Sequence, residues 1–305
     1  MISVKEILKV ENLTKKRGNK IVVDNLSFTV NQGDIFGFLG PNGAGKSTTM
    51  KMILNLINKD GGKVYIDGYD IDKKFKEAIK NVAAIIESPA MYLELTAYEN
   101  LKIVKNFSDT YSCSYEIDEA LEIVGLRGRG NEKVKNYSLG MKQRLGIAMA
   151  LIKNPKIILL DEPTNGLDPK GVIEMRQLIK ELVTKHKKTI IISSHILHEI
   201  EMICNKVTII KNGKQILESD IKSITTKKDL FFIKTTSIGE ASRILNGKNY
   251  VKVENIEKNG IIVQANESSI ALVIKELVNN NIPIYEVSVS NSSLEDIFIE
   301  VTGGN

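Results

Sequence analysis

The chain has 305 residues, 42% of them hydrophobic and 26% charged, with a formal net charge of +5. This is the composition of a folded globular protein of about two domains, and so mild a charge gives no reason to expect a nucleic-acid track; clusters such as Lys185–Lys188 and Lys73–Lys74 read as solvated faces. No apolar run approaches the roughly 18 residues that span a bilayer, the start of the chain mixes Lys5, Glu6, Lys9 and Glu11 unlike a signal peptide, and Cys113 and Cys204 fit neither a metal spacing nor a disulfide framework, so a cytoplasmic protein is expected.

In chain order, Ile7–Val10 and Leu26–Val30 read as members of an antiparallel layer, linked by polar turns containing Gly18 and Gly33. The apolar segment Ile35–Leu39 then runs directly into Gly40-Pro41-Asn42-Gly43-Ala44-Gly45-Lys46-Ser47-Thr48, a complete G-x-x-x-x-G-K-S phosphate-binding loop. Its spacing has a physical reason. Glycines let the chain curl so that successive backbone N–H groups point at a β-phosphate, and the helix starting near Gly45 adds its positive end. Lys46 would reach the β- and γ-oxygens while Ser47 offers a hydroxyl to Mg2+.

Short β-branched runs follow at Val64–Ile66, Ala83–Ile86, Ile157–Leu160, Thr189–Ile192 and Val207–Ile210, with helical stretches between them, an α/β pattern. Ser138 and Gly140 fall in Tyr137-Ser138-Leu139-Gly140-Met141-Lys142-Gln143-Arg144, which opens an amphipathic helix; a helix N-terminus is an anion site, and also an ordinary N-capped start. The run Ile157–Leu160 ends in Asp161 and Glu162, two carboxylates delivered to the carboxyl end of a buried strand beside the phosphate loop. Asp161 would hold Mg2+ and Glu162 would poise the water that attacks the γ-phosphate, although acidic pairs also form turns. Asp168 and Pro169 read as the N-cap and first residue of a helix with Val172, Met175, Leu178, Ile179 and Leu182 on one face.

The text turns polar from Glu218 to Asp229, which sets the expected domains at 1–220 and 221–305. Beyond it the order is strand, helix, strand, strand, helix, strand, that of a split βαβ or ferredoxin-like module. A last helix is expected, with Ser292 and Glu295 at capping-box spacing.

With the phosphate loop, the Ser138–Arg144 segment and the acidic pair in this order, the chain resembles the ATP-binding cassette family. Two further pieces match: Asn165-Gly166-Leu167-Asp168 is similar to the family's D-loop, and Ser193-Ser194-His195, ending a strand, is similar to its switch-histidine segment. The resemblance covers about residues 5 to 220. It implies an α/β cassette ATPase with a mixed sheet, an antiparallel layer and a helical signature subdomain, followed by a small α+β domain. It also implies two nucleotide-binding domains docked head to tail around ATP and Mg2+. Ser138 and Gly140 of one would close over the γ-phosphate on the other's phosphate loop, Asp168 would lie at the seam, and His195 would contact the γ-phosphate.

Two positions depart from the family pattern. Arg17 stands where many members carry an adenine-stacking Tyr; a guanidinium plane can lie on the purine, or Arg17 is an exposed turn residue. Glu87 replaces the usual Gln after Val82–Ile86, as a metal-site residue that would also link ATP to the membrane partner. With Leu95-Thr96-Ala97-Tyr98-Glu99-Asn100-Leu101 and Ser293-Leu294-Glu295-Asp296-Ile297-Phe298, this is similar to the bacitracin and lantibiotic exporter branch, over nearly the whole chain.

The resemblance therefore implies an ATP-hydrolysing transporter subunit that works with separate transmembrane permease subunits, held through them at the inner face of the cell membrane. Its cargo would be a peptide antibiotic. A different cargo, or a membrane-independent regulatory ATPase, stays open. Chromosome-maintenance cassettes insert long coiled coils for which the stretch from Ser47 to Ser138 is too short, and ribosome-acting cassettes carry two phosphate loops where this chain has one. No nucleic-acid partner is expected.

Overall fold

The structure, a computed structural model, describes residues 5–87, 89–107, 115–225, 230–289 and 298. Along the chain it divides into two compact units, with the boundary between Ile221 and Lys222. The first unit opens with a hairpin of β1 (Glu6–Arg17) and β2 (Lys20–Asn31), turned at Gly18. Both strands outrun their apolar runs, because the pairing continues through polar residues and absorbs register shifts on either side of Leu13. Asn12 and Asn25 take left-handed φ values of 51° and 53° there, a conformation that asparagine tolerates better than most residues.

β3 (Ile35–Leu39) is buried along its whole length and leads into α1 (Lys46–Ile53). β4 (Gly61–Ile66) and β5 (Tyr69–Asp70) return the chain to the first sheet, whose order is β2-β1-β4-β5. The run Val64–Ile66 thus belongs to the antiparallel layer and not to the α/β succession: Val64 lies opposite Val10 and Ile66 opposite Leu8. Val64 and Ile66 are buried while Lys63 is exposed and Tyr65 half-exposed, as in a strand with one wet face.

After α2 (Phe75–Ile79) and β6 (Val82–Ile85) come the helices α3 (Ala97–Asn106), α4 (Ile117–Ile123) and α5 (Leu139–Leu151). The rest of the unit is β7 (Ile157–Asp161), α6 (Pro169–Thr184), β8 (Thr189–Ser194), α7 (Leu197–Ile203), β9 (Lys206–Lys211) and β10 (Lys214–Asp220), and the short helix α8 (Ile221–Thr225) begins at the boundary. The second sheet has the order β10-β9-β3-β8-β7-β6, parallel throughout except for the antiparallel edge pair β10 and β9. The polar stretch that begins at Glu218 is therefore still strand for three residues. β10 is an edge strand whose side chains alternate between exposed and half-exposed, which leaves little apolar signal. A core lies between the two sheets, where Phe28 of β2 sits 5.4 and 4.9 Å, centroid to centroid, from Phe36 and Phe38 of β3.

The second unit consists of β11 (Leu230–Lys234), α9 (Ile238–Leu245), β12 (Lys252–Glu257), β13 (Gly260–Gln264), α10 (Glu267–Asn279) and β14 (Glu286–Val289). Its sheet order is β12-β13-β11-β14 with every pairing antiparallel, the ferredoxin-like topology. Ile233, Leu245, Ile261, Val263, Val273 and Leu277 form a core of its own. The capping-box pair Ser292 and Glu295, and Cys113, lie outside the described residues.

Candidate functional site

β3, β8 and β7 are neighbours in the parallel sheet and point their carboxyl ends the same way, so the segments that follow them converge. After β3, Gly45 caps α1 with a φ of 108°, and a Cβ there would come within 2.7 Å of the Val22 carbonyl oxygen. Only glycine fits, and the bend starts the helix where Lys46, Ser47 and Thr48 have no carbonyl of a preceding turn to bond, leaving their N–H groups for an anion. Ala44 is buried and its N–H bonds the Pro41 carbonyl at 3.1 Å, whereas Pro41, Asn42 and Gly43 are exposed.

Lys46 is only 5% exposed. Its Nζ donates to the Gly40 carbonyl at 2.7 Å and the Pro41 carbonyl at 3.2 Å, and stands 3.7 Å from Glu162 Oε1. Burial pushes the ammonium below its ordinary value, against the opposing pull of Glu162 and Asp161. A charge held on two backbone carbonyls and one carboxylate is poorly compensated. Phosphate oxygens would complete it.

Glu162 has a left-handed φ of 50°, a conformation that costs a side chain of its size on the order of 1–3 kcal/mol. Its N–H is gripped by both the carbonyl (3.2 Å) and the hydroxyl (3.1 Å) of Ser193, and Ser193 Oγ in turn donates to Asp161 Oδ1. That clamp turns the Glu162 side chain so that Oε2 meets His195 Nδ1 at 2.8 Å while Oε1 faces Lys46. Ser193 is fully buried, and its role was not read from the sequence; the available signal was a serine closing a strand of isoleucines.

The remaining candidates lie elsewhere. Ser138 is the N-cap of α5, accepting the Met141 N–H at 3.2 Å, and Asp168 caps α6 through Oδ1 and the Gly171 N–H at 3.1 Å. With Gly140, Gly166 and Leu167 they line an open groove of about 430 Å³ to which the phosphate loop contributes no residue. Arg17 is exposed at the end of β1, paired with Lys20 in the hairpin. Glu87, at a φ of 66°, carries a mostly exposed side chain whose Oε1 bonds Lys51 Nζ of α1 at 2.7 Å. The carboxylate of this candidate metal-site residue is thus engaged by a cation, which holds it below the usual carboxylate range. Lys51 carried no motif signal.

Comparison with known proteins agrees with this arrangement. The sequence model of the ABC transporter family matches residues 23–165. The chain is 41% identical to the uncharacterized ABC transporter ATP-binding protein YhcH of Bacillus subtilis (strain 168), covering 98% of this chain and 97% of that one. It is also 41% identical to the bacitracin transport ATP-binding protein BcrA of Bacillus licheniformis, covering 98% of each. A dimeric post-hydrolysis structure of the ATP-binding cassette MJ0796, bound to ADP and Pi, superposes with a TM-score of 0.61 at 28% identity, covering 70% of this chain and 99% of that one. Such subunits dimerise and work with transmembrane partners; among the described residues no helix is long and apolar enough to cross a membrane. The chain belongs to the ABC transporter family, as an ATP-binding subunit that hydrolyses ATP.

Proposed function

We propose that this chain powers the export of a peptide antibiotic of the bacitracin or lantibiotic kind, protecting its host or producer. In this reading two copies, or this chain and a paired ATPase subunit, close head to tail around two ATP molecules and move a separate permease at the inner face of the membrane. The cargo rests on the likeness to a bacitracin transport protein over nearly the whole length of both chains, and on Glu87 in the place of the usual Gln. Residues 1–220 would be the nucleotide-binding domain and 221–305 an accessory domain that tunes the dimer without taking part in chemistry.

The observation that carries the mechanism is the chain of contacts from Lys46 through Glu162 to His195. Lys46 and the N–H groups of Gly43 and of Gly45 to Thr48 would hold the β- and γ-phosphates. Glu162 would orient a water for in-line attack on the γ-phosphorus, with His195 fixing both the carboxylate and the γ-phosphate. Ser47 and Asp161 offer the hard oxygen donors that Mg2+ takes, one or two from protein with the rest from phosphate and water, so the donor set fits the ion. When bound, the ion neutralises charge developing on the phosphate oxygens. Ser138 and Gly140 of one copy would close over the nucleotide on the other, with Asp168 at the seam, Arg17 near the adenine, and Glu87 passing the state of the site to the permease.

Glu162→Gln tests this directly. It is expected to bind MgATP normally and to lower turnover by about 10² to 10⁴, the usual worth of a positioned base, while an ATP-bound dimer persists on a sizing column. Near-normal turnover would remove Glu162 from the role. For the cargo, cells carrying the chain with its permease should gain resistance to bacitracin or a lantibiotic and lose it with Glu162→Gln.

A further inference from the structure

Behind the Glu162 and His195 pair lies a carboxylate that none of the motifs includes. Glu199, in α7, is 6% exposed, and its Oε2 accepts two hydroxyl hydrogen bonds, from Thr164 Oγ1 at 2.5 Å and from Ser194 Oγ at 3.1 Å. Both donors are themselves buried. Thr164 lies two residues beyond Glu162 in the turn after β7, and Ser194 directly precedes His195 at the end of β8. Each donor also anchors its own backbone. The Thr164 carbonyl accepts the Leu167 N–H at 3.2 Å, and Ser194 Oγ accepts the Ile196 N–H at 3.0 Å.

A carboxylate placed so deep costs solvation that an apolar side chain of the same volume would not, and two neutral hydroxyls repay it only in part. What the carboxylate provides that an apolar side chain cannot is direction. One oxygen fixes the hydroxyls of two different loops at a common point, and those loops carry the two groups that meet at 2.8 Å, His195 Nδ1 and Glu162 Oε2. We propose that Glu199 is a positioning residue for ATP hydrolysis: it ties the loop after β7 to the loop after β8 and thereby holds Glu162 and His195 in register. The inference rests on the assignment of Glu162 and His195 to hydrolysis made above.

Steady-state ATPase measurements on the full chain test it, with variants that keep shape and remove single atoms. Thr164→Val and Ser194→Ala each delete one hydroxyl aimed at Glu199 and should lower kcat about tenfold or more, as sub-ångström displacement of a reacting group does, with KM for ATP unchanged. Thr164→Ser, which keeps the hydroxyl and loses only the methyl, should restore most of the rate. Glu199→Gln, still able to accept through its amide oxygen, should fall between them. In single-turnover assays on a His195→Ala background, Thr164→Val should cost little more, because it acts through a pair already broken. Unchanged kcat in Thr164→Val and Ser194→Ala would overturn the proposal, as would a loss in Thr164→Val that persists undiminished on the His195→Ala background or that Thr164→Ser fails to rescue. If Glu162→Gln itself turned over normally, the failure would belong to the hydrolysis assignment; if Glu162→Gln were slow and the hydroxyl variants normal, it would belong to Glu199 alone.

Discussion

The phosphate cluster and the signature groove are both built at helix N-termini of the same unit, yet they are finished to different degrees. Around Lys46 the chain supplies its own partners: two carbonyls, Glu162, and behind it Ser193 and His195. Around Ser138 it supplies a cap and little else. Ser138 is exposed, Leu139 beside it is 48% exposed, and the groove they line opens to solvent. The contrast teaches that folding organises the first region and leaves the second open to whatever can enter it. A second copy of the chain, bringing nucleotide on its own phosphate loop, has the chemistry to do so.

The most demanding test of that contrast is complementation. Lys46→Ala should be inactive alone because the buried ammonium is gone, and Ser138→Arg because the groove is blocked. Mixed in equal amounts they should recover about a quarter of the wild-type rate, since half of randomly assorted dimers are mixed and each of those holds one intact site. ATPase assays over a range of mixing ratios would show it. No recovery at any ratio, or a fully active monomer at high dilution, would break the comparison by making each chain self-sufficient.

A pair of glycine substitutions sharpens it at lower cost. Gly45→Ala puts a Cβ 2.7 Å from the Val22 carbonyl oxygen at a φ of 108°, so the loop must move. ATP affinity should fall by about tenfold or more, the equivalent of roughly 1.4 kcal/mol. At Gly140 a Cβ would meet only Leu167 Cδ2, at an ordinary 3.7 Å. Gly140→Ala should therefore leave ATP binding to the monomer unchanged and weaken ATP-driven dimerisation. Equilibrium binding and sedimentation on the two variants separate these effects. Equal loss of nucleotide affinity in both would show that the two regions are not independent.

Truncation after residue 221 is expected to have a smaller effect on the phosphate site. The second unit has its own sheet and core, and the contacts that fix Lys46, Glu162 and His195, those of Glu199 included, all lie before residue 221. ATP affinity should stay within about twofold of the full chain, the range of surface changes remote from a site, while dimerisation or coupling to the permease changes. Loss of ATP binding in a still-folded truncation would contradict that division.

What was legible in the sequence was what is local. The strand, loop and helix around Gly40–Thr48 follow from glycine and lysine spacing, and the Asp168 cap from a run of neighbouring residues. The ferredoxin-like order of the second unit came from successive runs, each with its own period. Non-local pairings left less trace. Three residues at Val64–Ile66 are too few for their alternation to decide between sheets, and Glu218–Asp220, the end of the edge strand β10, reads as the start of a polar linker until β9 pairs with it. Ser193, Lys51 and Glu199 are ordinary residues in their own segments. Their partners Asp161, Glu87 and Thr164 lie 32 to 36 positions away, and only the folded sheet brings them together.

The smallest effect is expected at Lys51 and Glu87, where the comparison is finest. Their ion pair is largely exposed, so it adds little to stability, and either Glu87→Gln or Lys51→Gln should leave basal ATPase within about twofold. Yet the pair joins α1, which starts at Lys46, to the segment just after β6, so it connects the self-contained phosphate cluster to a segment outside it. If its charge carries the signal to the permease, export or resistance should fall in both variants while hydrolysis continues. Exchanging the charges, with Lys51→Glu and Glu87→Lys together, should then recover part of the coupling that either exchange alone destroys. If Glu87 acts only through its shape, Glu87→Gln exports normally and Lys51→Gln does too, and the phosphate site would have to reach the membrane partner by contacts other than this pair.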